Sequence, residues 1–237
     1  MLEFRETNRD GLRPATAMRS PATLALIVLT IAVFILQNLA DALNLSVYPD
    51  FALSVEGLRH GWAWQLLTFQ FLHLPLVAGG AFQLLANLFV IYVFGQIVER
   101  AVGRAGVVKL YLLAGTAGGL LQMVGGLLAP ERFGVAMVGA SAGAFGLMAA
   151  VATMHPHRRL HLFFLPVPVR ADLLLTLGVA VTLAGLFLPS GHVAHCAHLG
   201  GILTGFLFAR RHLRRNRVPA AFRLAAKCSV DFRPGPD

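Results

Sequence analysis

The sequence predicts an all-α polytopic membrane protein of six transmembrane helices, and three observations carry that expectation. Of its 237 residues, 57% are apolar and only 13% charged, with a mean hydropathy of +0.69, far from the usage of an ordinary globular domain. Six apolar segments recur along the chain, each near the length of about 20 helical residues that crosses a hydrocarbon core of about 30 Å. Lys and Arg fall in alternate connecting stretches.

The first segment, residues 22–43, follows polar, Arg-bearing sequence, and no small-residue cleavage site closes it. It reads as a retained span rather than a removable signal peptide. The stretch "YPDFALSVEGLRHGWAWQLLTFQFLHLP" that follows is amphipathic and rich in Trp, Phe and His, which places it at a membrane interface. The remaining spans are expected over 81–98, 106–128, 138–154, 171–188 and 192–209. One set of loops holds Arg5, Arg9, Arg13 and Arg19, then Arg100, Arg104 and Lys109, then Arg158, Arg159 and Arg170, and finally the tail from Arg210 onward; the other holds only Arg59 and Arg132. Both termini are therefore expected in the cytoplasm. The organisation is an N-terminal cytoplasmic segment 1–21, a six-helix membrane domain 22–210 and a basic, disordered tail 211–237 ending in "FRPGPD".

The formal charge of +9 is spread as short clusters beside apolar runs, which suits anionic membrane lipids as partners and does not suit nucleic acid. Cys196 and Cys228 fit neither a disulfide framework nor a metal-ligand spacing and read as free thiols. His155, His157 and His161 in "HPHRRLH" stand among arginines and read as a headgroup-facing loop. No cofactor and no metal is expected.

Polar residues inside spans are expensive and mark functional sites. Ser141 lies at the outer start of the fourth segment in "VGASAGAFGL". The pattern matches the G-x-S-x-G nucleophile elbow, but that motif needs a strand before its helix, and the flanks here are apolar and helical. His198 lies within the sixth segment, with His195 and His192 nearer its outer end and the outer interface; Asn87 and Gln83 lie near the outer end of the second. A serine beside a histidine is the minimum for nucleophilic acyl transfer. Asn87 and Gln83 can donate to the developing oxyanion, where one preorganised donor contributes about 2.7–4 kcal/mol. None of the 11 acidic residues falls in the outer half of a span, so a Ser-His dyad is expected rather than a triad. Phe145, one turn after Ser141, is placed to flank the histidine. Gly201 and Gly205 share a face with His198 at small-xxx-small spacing, answered on the fourth segment by Ala142, Gly146, Ala149 and Thr153. Glu99 is expected to cap or pair at the cytoplasmic end of the second span.

These residues resemble the rhomboid family of intramembrane serine proteases over about residues 49–210. "GWAWQLLTFQFLH" is similar to the family's interfacial loop, with Trp64, Thr68 and His73 at its motif positions, and "NLFVIYVFGQIVER" to its second span, with Asn87, Gly95 and Glu99. "GASAGAFG" resembles the nucleophile motif and "AHLGGILTG" that of the sixth span. The resemblance implies a six-helix rhomboid-like bundle with Ser141 as nucleophile, His198 as base, Asn87 and Gln83 at the oxyanion, and Phe145, Gly139, Gly201 and Gly205 in support. It implies single-span membrane proteins as substrates. The chain departs from the pattern at Ala142, usually glycine; at Gln83, often histidine; at Gln65, commonly arginine; and in a stretch between His73 and Gln83 about five residues longer than usual. His73 reads as structural.

The leading expectation is an intramembrane serine endopeptidase, with a catalytically inactive rhomboid-like binder of membrane proteins as the alternative. A transporter is disfavoured, since the chain lacks repeat-related broken helices. The expected location is a prokaryotic plasma membrane, with an organelle membrane left open.

Overall fold

Proline suits the first turn of a helix, where its missing N–H would have had no partner, and Pro21 opens α1 (Pro21–Ala42). The computed structural model describes residues 20–162, 167–187 and 193–216. The expected segments 1–21 and 211–237 lie mostly outside these residues, as do His192 and Cys228. Ser20 offers α1 no side-chain cap. Instead the Glu99 carboxylate accepts from the Ala22 and Thr23 amides (3.1 and 2.8 Å) and from the Thr23 hydroxyl (2.7 Å). A carboxylate there satisfies orphan amides and complements the helix dipole.

The interfacial stretch folds as three short helices, α2 (Tyr48–Phe51), α3 (Val55–Arg59) and α4 (Gln65–Thr68). Side chains tie them together. Trp64 Nε1 donates to the Asp50 carbonyl (2.9 Å) and Thr68 Oγ1 to that of Phe51 (2.8 Å). Gln65 is fully buried, accepts from the Ser54 amide and donates to the Pro49 carbonyl, both at 3.2 Å. The longer stretch that follows closes through a 3-10 turn, Leu76–Ala78, and Gly79 at φ 84°.

The second and third apolar segments join as α5 (Gly80–Leu128), broken only at Gly103, whose φ of 79° and ψ of 173° glycine alone adopts freely. After α6 (Pro130–Phe133) come α7 (Ser141–Met154), the strands β1 (Arg159–Leu160) and β2 (Val169–Arg170), α8 (Ala171–Phe187) and α9 (His195–Arg215). The antiparallel β1–β2 pair amends the all-α expectation. Two boundaries also shift. Helix α7 begins at Ser141 rather than 138, because Met137 pairs reciprocally with the Leu53 backbone and the Gly139 amide donates to Phe69 O. Helix α9 runs on to Arg215, its basic last turn complementing the carbonyl end. By length and composition, Pro21–Ala42 and Gly80–Leu128 are the helices able to cross a membrane among the described residues; Ser141–Met154 and Ala171–Phe187 are apolar but shorter, at 14 and 17 residues.

Packing centres on α7, which is wedged between α5 and α9. A Cβ on Gly201 would strike the Ala142 backbone and one on Gly205 the Gly146 backbone, so these two helices meet main chain to main chain. Ile91, Val98, Leu110, Tyr111, Leu147 and Val151 fill the core on the α5 side, each at 0% exposure. Helix α8 packs on α7 and α9 and buries only Ala171, Thr182 and Gly185 among its described residues.

Candidate active site

Ser141 is the first residue of α7, so the amides of Ser141, Ala142 and Gly143 have no partner within the helix. Gly139, at φ 132°, bends the chain into this start. His198 stands one turn into α9, and the glycine contacts between α7 and α9 set its ring against the serine. His198 Nε2 lies 2.9 Å from Ser141 Oγ, within hydrogen-bond range. The Phe145 ring stacks on the imidazole, centroids 4.4 Å apart at 28°. Ser141 and His198 are both half-buried.

The two amides from α5 converge on Gly139, two residues before Ser141. A Cβ built on Gly139 would stand 3.0 Å from Gln83 Nε2 and 3.9 Å from Asn87 Nδ2. Gln83 already ties two segments, accepting from the Leu74 amide (2.8 Å) and donating to the Val138 carbonyl (3.3 Å). Asn87 is buried, and its Nδ2 lies 3.1 Å from His73 Nε2. Each amide nitrogen carries two hydrogens and is left with one.

His73 is the hub of a network that extends beyond the dyad. Burial lowers its imidazole to about 4, against the opposing pull of the Phe71 carbonyl, so the ring is neutral at pH 7. Nδ1 donates to Phe71 O (3.3 Å), which leaves Nε2 to accept from Asn87. The His73 backbone is gripped from α1 and α2: its amide donates to Gln37 Oε1 (3.0 Å), and its carbonyl accepts from Gln37 Nε2 (2.7 Å) and the Tyr48 hydroxyl (2.8 Å).

A Rhomboid domain model matches residues 60–215, more than half of the chain. The chain belongs to the rhomboid family. Among curated relatives, it is 31% identical over 147 residues to Rhomboid protein 1, mitochondrial, of Saccharomyces cerevisiae, covering 58% of this chain and 41% of that one. It is 32% identical over 142 residues to the human Presenilin-associated rhomboid-like protein, mitochondrial, covering 58% and 37%. It is 33% identical over 164 residues to RHOMBOID-like protein 1 of Arabidopsis thaliana, covering 66% and 36%. The chain thus spans about two fifths of the length of these relatives.

One feature of this rhomboid corrects the sequence reading, and two others add to it. His195, expected at the outer interface, is only 5% exposed: it packs on Gly185 of α8 and lies edge-on to His198, centroids 5.9 Å apart. The methyl of Ala142, where the family pattern has glycine, is accommodated by Gly118 of α5. Gln37 was not singled out, although a fully buried amide within an apolar segment is the very signal that marked Asn87.

Proposed function

We propose that this rhomboid is an intramembrane serine endopeptidase that crosses its membrane six times and cleaves single-span membrane proteins in or near their transmembrane segment. The single observation that carries this reading is the hydrogen-bonded pair of Ser141 Oγ and His198 Nε2 at the start of two touching helices. The Ser141 hydroxyl passes its proton to His198 Nε2 as Oγ attacks the scissile carbonyl carbon. The Ser141 amide and the remaining amide hydrogens of Asn87 and Gln83 receive the oxyanion. His198 then protonates the leaving amine, an acyl-enzyme remains, and water activated by the same imidazole releases it. Phe145 holds the ring in plane, the task an acidic third member performs in a triad.

The alternation of basic loops supports cytoplasmic termini and a site facing the outer leaflet. The yeast and human relatives are named mitochondrial, which favours an organelle-type membrane of that lineage over the prokaryotic plasma membrane as the comparison point for localisation. Purified protein in liposomes, given a single-span reporter, should release product, and Ser141→Ala and His198→Ala should each reduce the rate at least about 10³-fold. Reaction with a fluorophosphonate should vanish in Ser141→Ala. Undiminished cleavage by either variant sinks the proposal; a wild type that neither cuts nor labels moves the binding-only reading ahead.

A further inference from the structure

At the ends of α7 and α9 opposite the dyad, a cavity of about 420 Å³ opens between Ile97, Arg100 and Ala101 in the middle of α5, Met154, His155 and Arg158 at and beyond the end of α7, and His212 and Leu213 of α9. Its chemistry is divided. Two arginines and two histidines stand in the lining with no acidic residue among them, while Ile97, Ala101, Met154 and Leu213 supply the apolar wall. None of the salt bridges among the described residues involves Arg100, His155, Arg158 or His212. The nearest carboxylates in sequence are already engaged: Glu99 caps α1, and Asp172 pairs with Arg170. Nor is the rim a loose loop. The Arg158 amide donates to His155 O (3.0 Å), its carbonyl accepts from the Ala171 amide (2.9 Å), and β1–β2 pairing begins at the next residue.

We infer that this cavity binds the phosphate of an anionic lipid, with the headgroup between Arg100 and Arg158 and the glyceryl and first acyl carbons along Ile97, Met154 and Leu213. Guanidinium groups match phosphate oxygens in charge and geometry. A free phosphate satisfies the cations but leaves the apolar wall uncovered, and a lipid covers both. The lipid source rests on the membrane-spanning reading above; the anion site does not. Occupancy would bridge the middle of α5, just before its Gly103 break, and the ends of α7 and α9, the two helices whose other ends carry Ser141 and His198.

The test is native mass spectrometry of the full chain released from detergent micelles, titrated with dilauroyl phosphatidylglycerol or dilauroyl phosphatidylcholine. Phosphatidylglycerol should bind at least about tenfold more tightly than phosphatidylcholine, and Arg100→Gln with Arg158→Gln should lose that margin. Arg211→Gln with Arg214→Gln, which removes as much charge from the same end of the molecule outside the cavity lining, should keep it within about twofold. Equal loss in both pairs, or equal binding of the two lipids, overturns the site. If inorganic phosphate competes at the lipid's own concentration, the anion site stands and the lipid source falls. Thermal unfolding of each variant separates misfolding from lost binding, and because no readout uses cleavage, failure here and failure of the protease reading are distinguishable.

Discussion

Asn87 has two amide hydrogens, and the neutral ring of His73 decides which is left for the proposed oxyanion contact. Asn87→Ala should reduce kcat by about 10²–10³-fold with a small change in KM, the signature of a donor used mainly in the transition state. Gln83→Ala should loosen the approach to Gly139 as well, since Gln83 also ties Leu74 to Val138, and should therefore lower the unfolding midpoint where Asn87→Ala mainly lowers rate. His73 adds a pH dependence of definite sign. Its folded value lies near 4 and its ordinary value is 6.5, so between those limits the unfolded chain binds more protons. The contribution of the neutral ring is complete above about pH 6.5 and is lost as the pH falls toward 4. Acidification from pH 7 to 5 should cost the wild type up to about 2 kcal/mol of stability through this group. In His73→Gln, whose side-chain carbonyl still accepts from Asn87 but does not titrate, the midpoint of detergent-monitored unfolding should move less over the same range.

At the scale of elements, the candidate active site is a by-product of how closely α7 and α9 approach. Gly205→Val would put side-chain atoms into the Gly146 main chain, where nothing flexible can yield, and should cost at least about 1–3 kcal/mol. The serine and histidine would part with the helices, so the fluorophosphonate labelling rate should fall together with the unfolding midpoint. Ala142→Gly makes the opposite test: it removes a methyl that Gly118 already accommodates, and should cost up to about 1 kcal/mol in helix propensity while labelling stays within about twofold. This contact between α7 and α9 was legible in the sequence because glycine spacing along a helix repeats locally, and so was the stacking partner Phe145, one turn from Ser141. The grip of Gln37 on His73 was not, because its partners are 36 residues apart and no local periodicity announces them. The burial of His195 escaped for a related reason: its cover comes from Gly185, a residue whose missing side chain leaves room without advertising it. Helix α7 starts three residues after the apolar run does because backbone pairing to Leu53 and Phe69 outweighs the helical preference of that run.

For the whole molecule, α1 is fastened at both ends to parts of the chain remote in sequence. At its start Glu99 caps the Ala22 and Thr23 amides, and near its other end Gln37 holds His73. Glu99→Ala should cost about 1–2 kcal/mol through the lost cap and should speed hydrogen exchange selectively at Ala22 and Thr23. The family match begins at residue 60, after α1 has ended. A chain trimmed to that line would keep its serine and histidine yet leave the Glu99 carboxylate and both main-chain groups of His73 without these partners. The edge of what is recognisable as kin and the edge of what works as a unit are thus different lines, and a first helix borrowed from a cousin would be accepted only if it brought its own amide to the place of Gln37.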